Sequence, residues 1–169
     1  MPNCAFEQPF LQIPADFVLR TWDATDTNRE IVQSLVASEV LIGRSDNLRQ
    51  VLKQNEALAW HVSCHAERNH AISYQWLSNR GRHAEARVAH LLCETAYRVG
   101  VSTSEKMELP FTQVQIAEMT ALTPVHVCRI LGKLAERGIV TRRGRIILFS
   151  DWAELCRIAR FTPDYLELR

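Results

Sequence analysis

Residues 111–149, FTQVQIAEMTALTPVHVCRILGKLAERGIVTRRGRIILF, decide the fold. Thr112 can cap a helix, and Gln115 three residues on completes a T-x-x-Q capping box, in which each side chain satisfies a backbone N–H near the helix start. Val114, Ile116, Ala117 and Met119 supply its apolar side. Thr123 caps a second helix, and Pro124 follows at the first helical position, where its missing N–H costs nothing. Val127, Ile130, Leu131 and Leu134 recur at helical spacing as an inward face, and Gly138 marks the stop. Only Thr120, Ala121 and Leu122 separate the two helices, so they must cross steeply and leave the start of the second projecting. Ile139 and Val140 then open a strand, Arg142, Arg143, Gly144 and Arg145 make a tight turn, and Ile146 to Phe149 return. Two capped helices followed by a hairpin are the layout of a winged helix-turn-helix.

The charge is placed to match. From Ala121 to Phe149 the basic residues are Arg129, Lys133, Arg137, Arg142, Arg143 and Arg145, against the single acid Glu136, inside a chain whose formal net charge is only +1. A local positive field on a projecting helix and a hairpin tip points to double-stranded DNA as partner. The expected DNA-facing residues are Thr112, Gln113, Thr123, Pro124, Val125, His126, Arg129, Lys133, Arg142, Arg143 and Arg145. Arg129 can pair bidentately with a guanine edge and His126 can donate to a base or phosphate. Lys133, Arg137 and the three wing arginines are expected on the phosphate backbone, which positions without specifying. Plainer readings are a solvated basic face, a surface ion pair between Arg129 and Glu136 or Glu118, and a winged helix that binds protein and has no need of wing arginines.

The runs RVAHLLCETAYRVG (87–100) and LPFTQVQIAEMTALTPVHVCRILGKLAERGIV (109–140) resemble the C-terminal half of the cyclic-AMP receptor protein and fumarate–nitrate regulator family of bacterial transcription factors. The resemblance spans roughly residues 50 to 160, and the TPVHV-x-R helix is similar to a subgroup of those regulators. It implies a transcription regulator that binds a palindromic site as a homodimer, with RNA polymerase as a further candidate partner. The family's first recognition turn carries an Arg and a Glu that read bases; Pro124 and Val125 stand there in this chain, while Arg129 is retained. The alternative is a non-DNA-binding interaction module, or a truncated fragment that dimerises with a full-length relative.

The family also implies a long dimerisation helix, and residues 55 to 79 are the candidate. Leu58, Val62, His65, Asn69, Ile72 and Trp76 alternate spacings of four and three, an a/d seam whose polar members could fix register. The competing reading is an amphipathic helix packed on its own domain, with Trp60, Tyr74 and Trp76 as core. Residues 79 to 83, with Gly81, are expected to form a hinge into a helix from Ala84 to Val99. The expected fold is therefore mainly α with small β: an effector-domain-like β region in 1–54, a dimerisation helix in 55–80 and a winged helix-turn-helix in 81–169.

The first third departs from the family. About fifty residues precede the long helix, where the family has a full effector-binding β-barrel. Ile31 to Arg44 alternate like last barrel strands, and Ser45, Asp46 and Asn47 can cap a helix from Leu48 to Lys53. PADF (Pro14 to Phe17) resembles the start of the family's phosphate-binding cassette. Ala15 and Asp16 replace its Gly-Glu pair and Arg29 is the nearby cation, so cyclic-nucleotide binding is not expected.

Other classes find little support. At 169 residues and 47% hydrophobic, the chain can bury one sizeable core or two small ones. No apolar run approaches the roughly 20 residues of a membrane span, and the start, with Glu7 and no basic n-region, is unlike a signal peptide, so a cytoplasmic location is expected. Cys4, Cys64, Cys93, Cys128 and Cys156 are odd in number and widely spaced, unlike a disulfide framework, a zinc site or an iron–sulfur cluster, and are expected as thiols. His61, Cys64, His65 and His70 cluster, yet no further ligand follows at closed-site spacing, and no phosphate loop, G-x-S-x-G or H-E-x-x-H occurs. No cofactor, metal or catalytic residue is therefore assigned.

Overall fold

A computed structural model of the chain describes residues 39, 44–101, 106–108, 111–144 and 146–167. The elements run α1 (Ser45–Gln54), α2 (Glu56–Asn79), α3 (Ala84–Arg98), β1 (Lys106–Glu108), α4 (Gln113–Thr120), α5 (Pro124–Glu136), β2 (Val140–Arg143), β3 (Ile146–Phe149), α6 (Trp152–Ala159) and a 3-10 turn (Asp164–Leu166). The cassette at 14–17, Arg29, Cys4, Arg145 and all of the expected barrel strands except residues 39 and 44 lie outside the described residues. α1 starts earlier than expected: Arg44 is its extended N-cap, with no side-chain cap bond, and Ser45, Asp46 and Asn47 lie inside the helix.

Helices α4 and α5 form as their caps dictate. Thr112 Oγ1 accepts from the Gln115 N–H at 3.3 Å while Gln115 Oε1 accepts from the Thr112 N–H at 2.8 Å. Thr123 Oγ1 accepts from the His126 N–H at 3.2 Å, with Pro124 behind it. α5 ends in a Schellman motif: Gly138, at φ 70°, donates to the Ala135 carbonyl and Ile139 to that of Leu134. α4 ends the same way on a residue less suited to it. Ala121 takes φ 52°, and Leu122 donates to the Ala117 carbonyl at 2.8 Å.

The wing is a three-stranded antiparallel sheet in the order β1-β3-β2. Arg142 pairs with Ile147 and Arg143 with Ile146, so both arginines belong to β2 rather than to the turn, in which Gly144 lies. Sequence reading did not anticipate β1. Three residues are too few for a periodicity, and Met107 opposite Ile147 is held by pairing with β3.

One core gathers the inward residues of α3, α4, α5, the sheet and α6, including Leu91, Leu92, Ile116, Leu131, Leu134, Ile147 and Leu155. Ile72 of α2 belongs to it, only 4% exposed. Part of the side expected to face a partner helix is covered within the chain itself. Ile72 and Val62 are buried within the chain, and Trp76 packs against the core and donates its indole N–H to Glu94 at 3.2 Å. Leu58, His65 and Asn69, on the same side, are half-buried. An a/d stripe buried on the chain's own domain has the same spacing as one buried on a second helix, so sequence spacing could not separate them. The opposite face is the open one: Trp60, Tyr74 and Leu77 are 64%, 69% and 60% exposed.

A buried polar cluster joins α2 to α3 and the C-terminal 3-10 turn. Glu94 is fully buried and accepts from Trp76 and from Arg98 Nη1 at 3.2 Å each, and from the Tyr165 hydroxyl at 2.7 Å. His90 Nε2 lies 3.5 Å from the same carboxylate and 3.2 Å from Tyr165 Oη. Burial works to raise the Glu94 pKa, but its bonds to His90 and Tyr165 and the Arg98 charge outweigh it and hold the carboxyl below its ordinary range. The expected hinge at 79–83 is also tied down: Arg82 Nη1 donates to the Ala159 carbonyl at 2.8 Å.

Candidate nucleic-acid interface

α5 buries Val127, Ile130, Leu131 and Leu134 along one side, which turns Val125, Arg129, Lys133 and Glu136 outward. Thr123, Pro124 and His126 are exposed at its start. Val125 is 61% exposed, an apolar side chain held in water at the beginning of a projecting helix. Among the described residues Arg129, Lys133 and Arg143 have no acidic partner, so the ion pairs of Arg129 with Glu136 or Glu118 do not form.

Two arginines are committed elsewhere. Arg137, expected on the phosphate backbone, bonds Glu85 of α3 at 2.5 Å and Glu154 of α6 at 3.0 Å, so it clamps the end of α5 to its scaffold. Hydrogen bonding from Arg157, with the charges of Arg157 and Arg137, holds the Glu154 carboxyl below its ordinary range. These partners lie 52 and 17 residues from Arg137, beyond any local pattern. A local signal for the scaffold did exist: Asp151 followed three residues on by Glu154 marks the start of α6, whose N-cap bond from the Glu154 N–H is 2.9 Å. Arg142 donates through Nε to the Gly144 carbonyl at 3.0 Å. With the Gln113 amide oxygen turned toward it, its two terminal nitrogens also lie 2.7 and 2.9 Å from that oxygen. Gln113 and Arg142 therefore brace the wing against the start of α4, and the Thr112 hydroxyl is spent on its cap.

The structure thus brings Thr123, Pro124, Val125, His126, Arg129 and Lys133 onto one projecting helix, with the exposed Arg143 on the wing. Residues 86–158 match the family model of the Crp-like helix-turn-helix domain. The chain carries a Crp-like helix-turn-helix domain. Solved structures similar in fold to this chain include FixK2 from Bradyrhizobium japonicum, with a TM-score of 0.62 and 24% identity over 69% of this chain and 59% of that one. A CooA mutant from Carboxydothermus hydrogenoformans has a TM-score of 0.61 and 20% identity over 68% of this chain and 54% of that one. CprK complexed with OCPA gives 0.54 and 19% over 68% and 54%. The chain therefore spans between half and two thirds of these structures' length. No curated protein matches it. The Crp-like domain runs from α3 through most of α6, and of the two carboxylates that hold Arg137, Glu85 stands just ahead of it in sequence and Glu154 within it.

Among the described residues no group of three or more His, Cys, Asp or Glu side chains is placed to hold a metal ion. No helix among them is long and apolar enough to cross a membrane.

Proposed function

We propose that the chain is a sequence-specific transcription regulator that binds a two-fold symmetric DNA site as a homodimer. The observation that supports this most directly is the outward side of α5: among the described residues Arg129 and Lys133 stand exposed and without acidic partners, and Arg143 is likewise exposed on the wing, while Arg137 and Arg142 brace the scaffold. CooA, one of the proteins of similar fold, is a CO-dependent transcription factor. In this reading the first turn of α5 enters the major groove. Arg129 pairs with a guanine edge, His126 reaches a base or phosphate, and Val125 packs on a thymine methyl, the apolar feature of that groove. Lys133, Arg143 and Arg145 lie along the phosphates.

The second subunit pairs through the open face of α2. Trp60, Glu67 and Tyr74 repeat every seven residues there, with Leu77 following Tyr74 by three, a second seam beside the one through Leu58, Val62, His65, Asn69, Ile72 and Trp76, of which Ile72 and Trp76 meet the chain's own core. The division into an N-terminal β region to residue 54, a dimer helix over 55–80 and a DNA-binding unit over 81–169 belongs to the same proposal. Selection of bound sequences from random duplex DNA tests it: a palindrome with half-sites about one helical turn apart is expected. Recovery of no enriched sequence at low salt would refute it.

A further inference from the structure

Cys93 on α3 and Cys156 on α6 bring their sulfur atoms to 3.9 Å, although 63 residues separate them in sequence. Cys93 is fully buried and Cys156 is half-buried. The residues between them include all of α4, α5 and the wing, so the contact ties together the two helices that flank these elements in sequence. The remaining described cysteines, Cys64 and Cys128, lie on α2 and α5, away from this pair.

We infer that Cys93 and Cys156 are a reversible dithiol–disulfide site, closed by a peroxide-class oxidant and opened by a dithiol reductant. A disulfide bond is about 2.05 Å long, so the sulfurs must approach by a little under 2 Å for the bond to close. Their surroundings assign the roles. Hydrogen bonding from Cys93 holds the Cys156 thiol below its ordinary range, and burial pushes the Cys93 thiol up. Cys156, the half-buried one, is thus the sulfur that an oxidant reaches first, and the fully buried Cys93 is the one that resolves.

In the first step the Cys156 thiolate attacks one oxygen of hydrogen peroxide. An S–O bond forms, the O–O bond breaks, and the departing hydroxide takes up a proton as water. In the second, the Cys93 sulfur attacks the sulfenic sulfur of Cys156. The S–S bond forms, the S–O bond breaks, and the hydroxide released takes the Cys93 proton. Two thiols and one peroxide give one disulfide and two waters, with two electrons passing from sulfur to oxygen. The staple fixes α3 to α6, and α6 carries the Glu154 that holds Arg137 at the end of α5.

The test uses the full reduced chain. It is exposed to hydrogen peroxide under native conditions, alkylated with N-ethylmaleimide in denaturant, and digested without reduction for peptide mapping. The expected result is one peptide pair linked through Cys93 and Cys156. The intact chain should be two hydrogens lighter, still single-chain on a non-reducing gel, and restored by dithiothreitol. Its melting temperature should rise by roughly 10 °C, because the bond closes a long loop in the unfolded chain. The inference is overturned if both thiols stay alkylatable, if Cys156 proceeds to sulfinic acid without a link, or if the link forms only when oxidation is done in urea.

Discussion

Replacing the buried carboxylate at the joint, Glu94→Gln, should cost about 3 kcal/mol of stability. Glu94 takes hydrogen bonds from Trp76, Arg98 and Tyr165, so three groups from three segments of the chain converge on its two oxygens. Removing one partner of a buried ion pair typically costs about 3–5 kcal/mol, because the remaining charge is left in a poorly solvating interior. The glutamine oxygen still accepts one bond, which places the expectation at the low end; its amide group, however, faces the Arg98 guanidinium with donors against donors. With a urea m-value of about 1.5 kcal/mol/M, that loss lowers the unfolding midpoint by about 2 M, read by far-UV circular dichroism. The pH dependence carries a second signature. Glu94 is held below its unfolded pKa of about 4.3, so its contribution is fully present above that value and is lost as pH falls through the lower native one. The wild type should therefore shed stability on the acid side, and Glu94→Gln should flatten that limb. A midpoint shift below about 0.5 M, with an unchanged acid limb, would refute the claim that this carboxylate is charged and holds the joint.

Ala121→Gly should stabilise by about 0.5–1 kcal/mol in the same assay, because the left-handed backbone at φ 52° strains an L-residue and suits glycine; a loss of stability would contradict the strain argument. Arg129→Ala should weaken binding to the selected site by about 1–3 kcal/mol and relax preference at one base pair, measured by fluorescence anisotropy; equal loss on random DNA would remove its base-reading role. Arg143→Ala should weaken binding on all sequences and reduce the log–log salt slope by about 0.9, whereas an unchanged slope would take Arg143 off the phosphates. Tyr74→Asp should give a folded monomer in sedimentation, while Ile72→Asp should unfold the chain by burying a charge in its core. A dimeric Tyr74→Asp variant would place the subunit contact elsewhere.

What the sequence determined by itself was local. Thr112 with Gln115, Thr123 with Pro124, and Gly138 set the ends of α4 and α5, because capping depends on residues three or four apart and on backbone angles few residues accept. The apolar spacing in α5 likewise identified its outward side in advance. Only the tertiary structure decided what covers each face and which charge meets which. The stripe through Ile72 and Trp76 had the spacing of a coiled-coil seam, yet α3 and the C-terminal 3-10 turn bury it through Glu94, His90 and Tyr165. Arg137 and Arg143 stand equally basic in the sequence. One is neutralised by carboxylates from α3 and α6, and the other stays in solvent, because folding brings acidic residues to the end of α5 and none to the wing tip among the described residues. Periodicity fixes which residues share a side of a helix, but burial and ion pairing depend on contacts between segments far apart in the chain, and those exist only once the core has assembled.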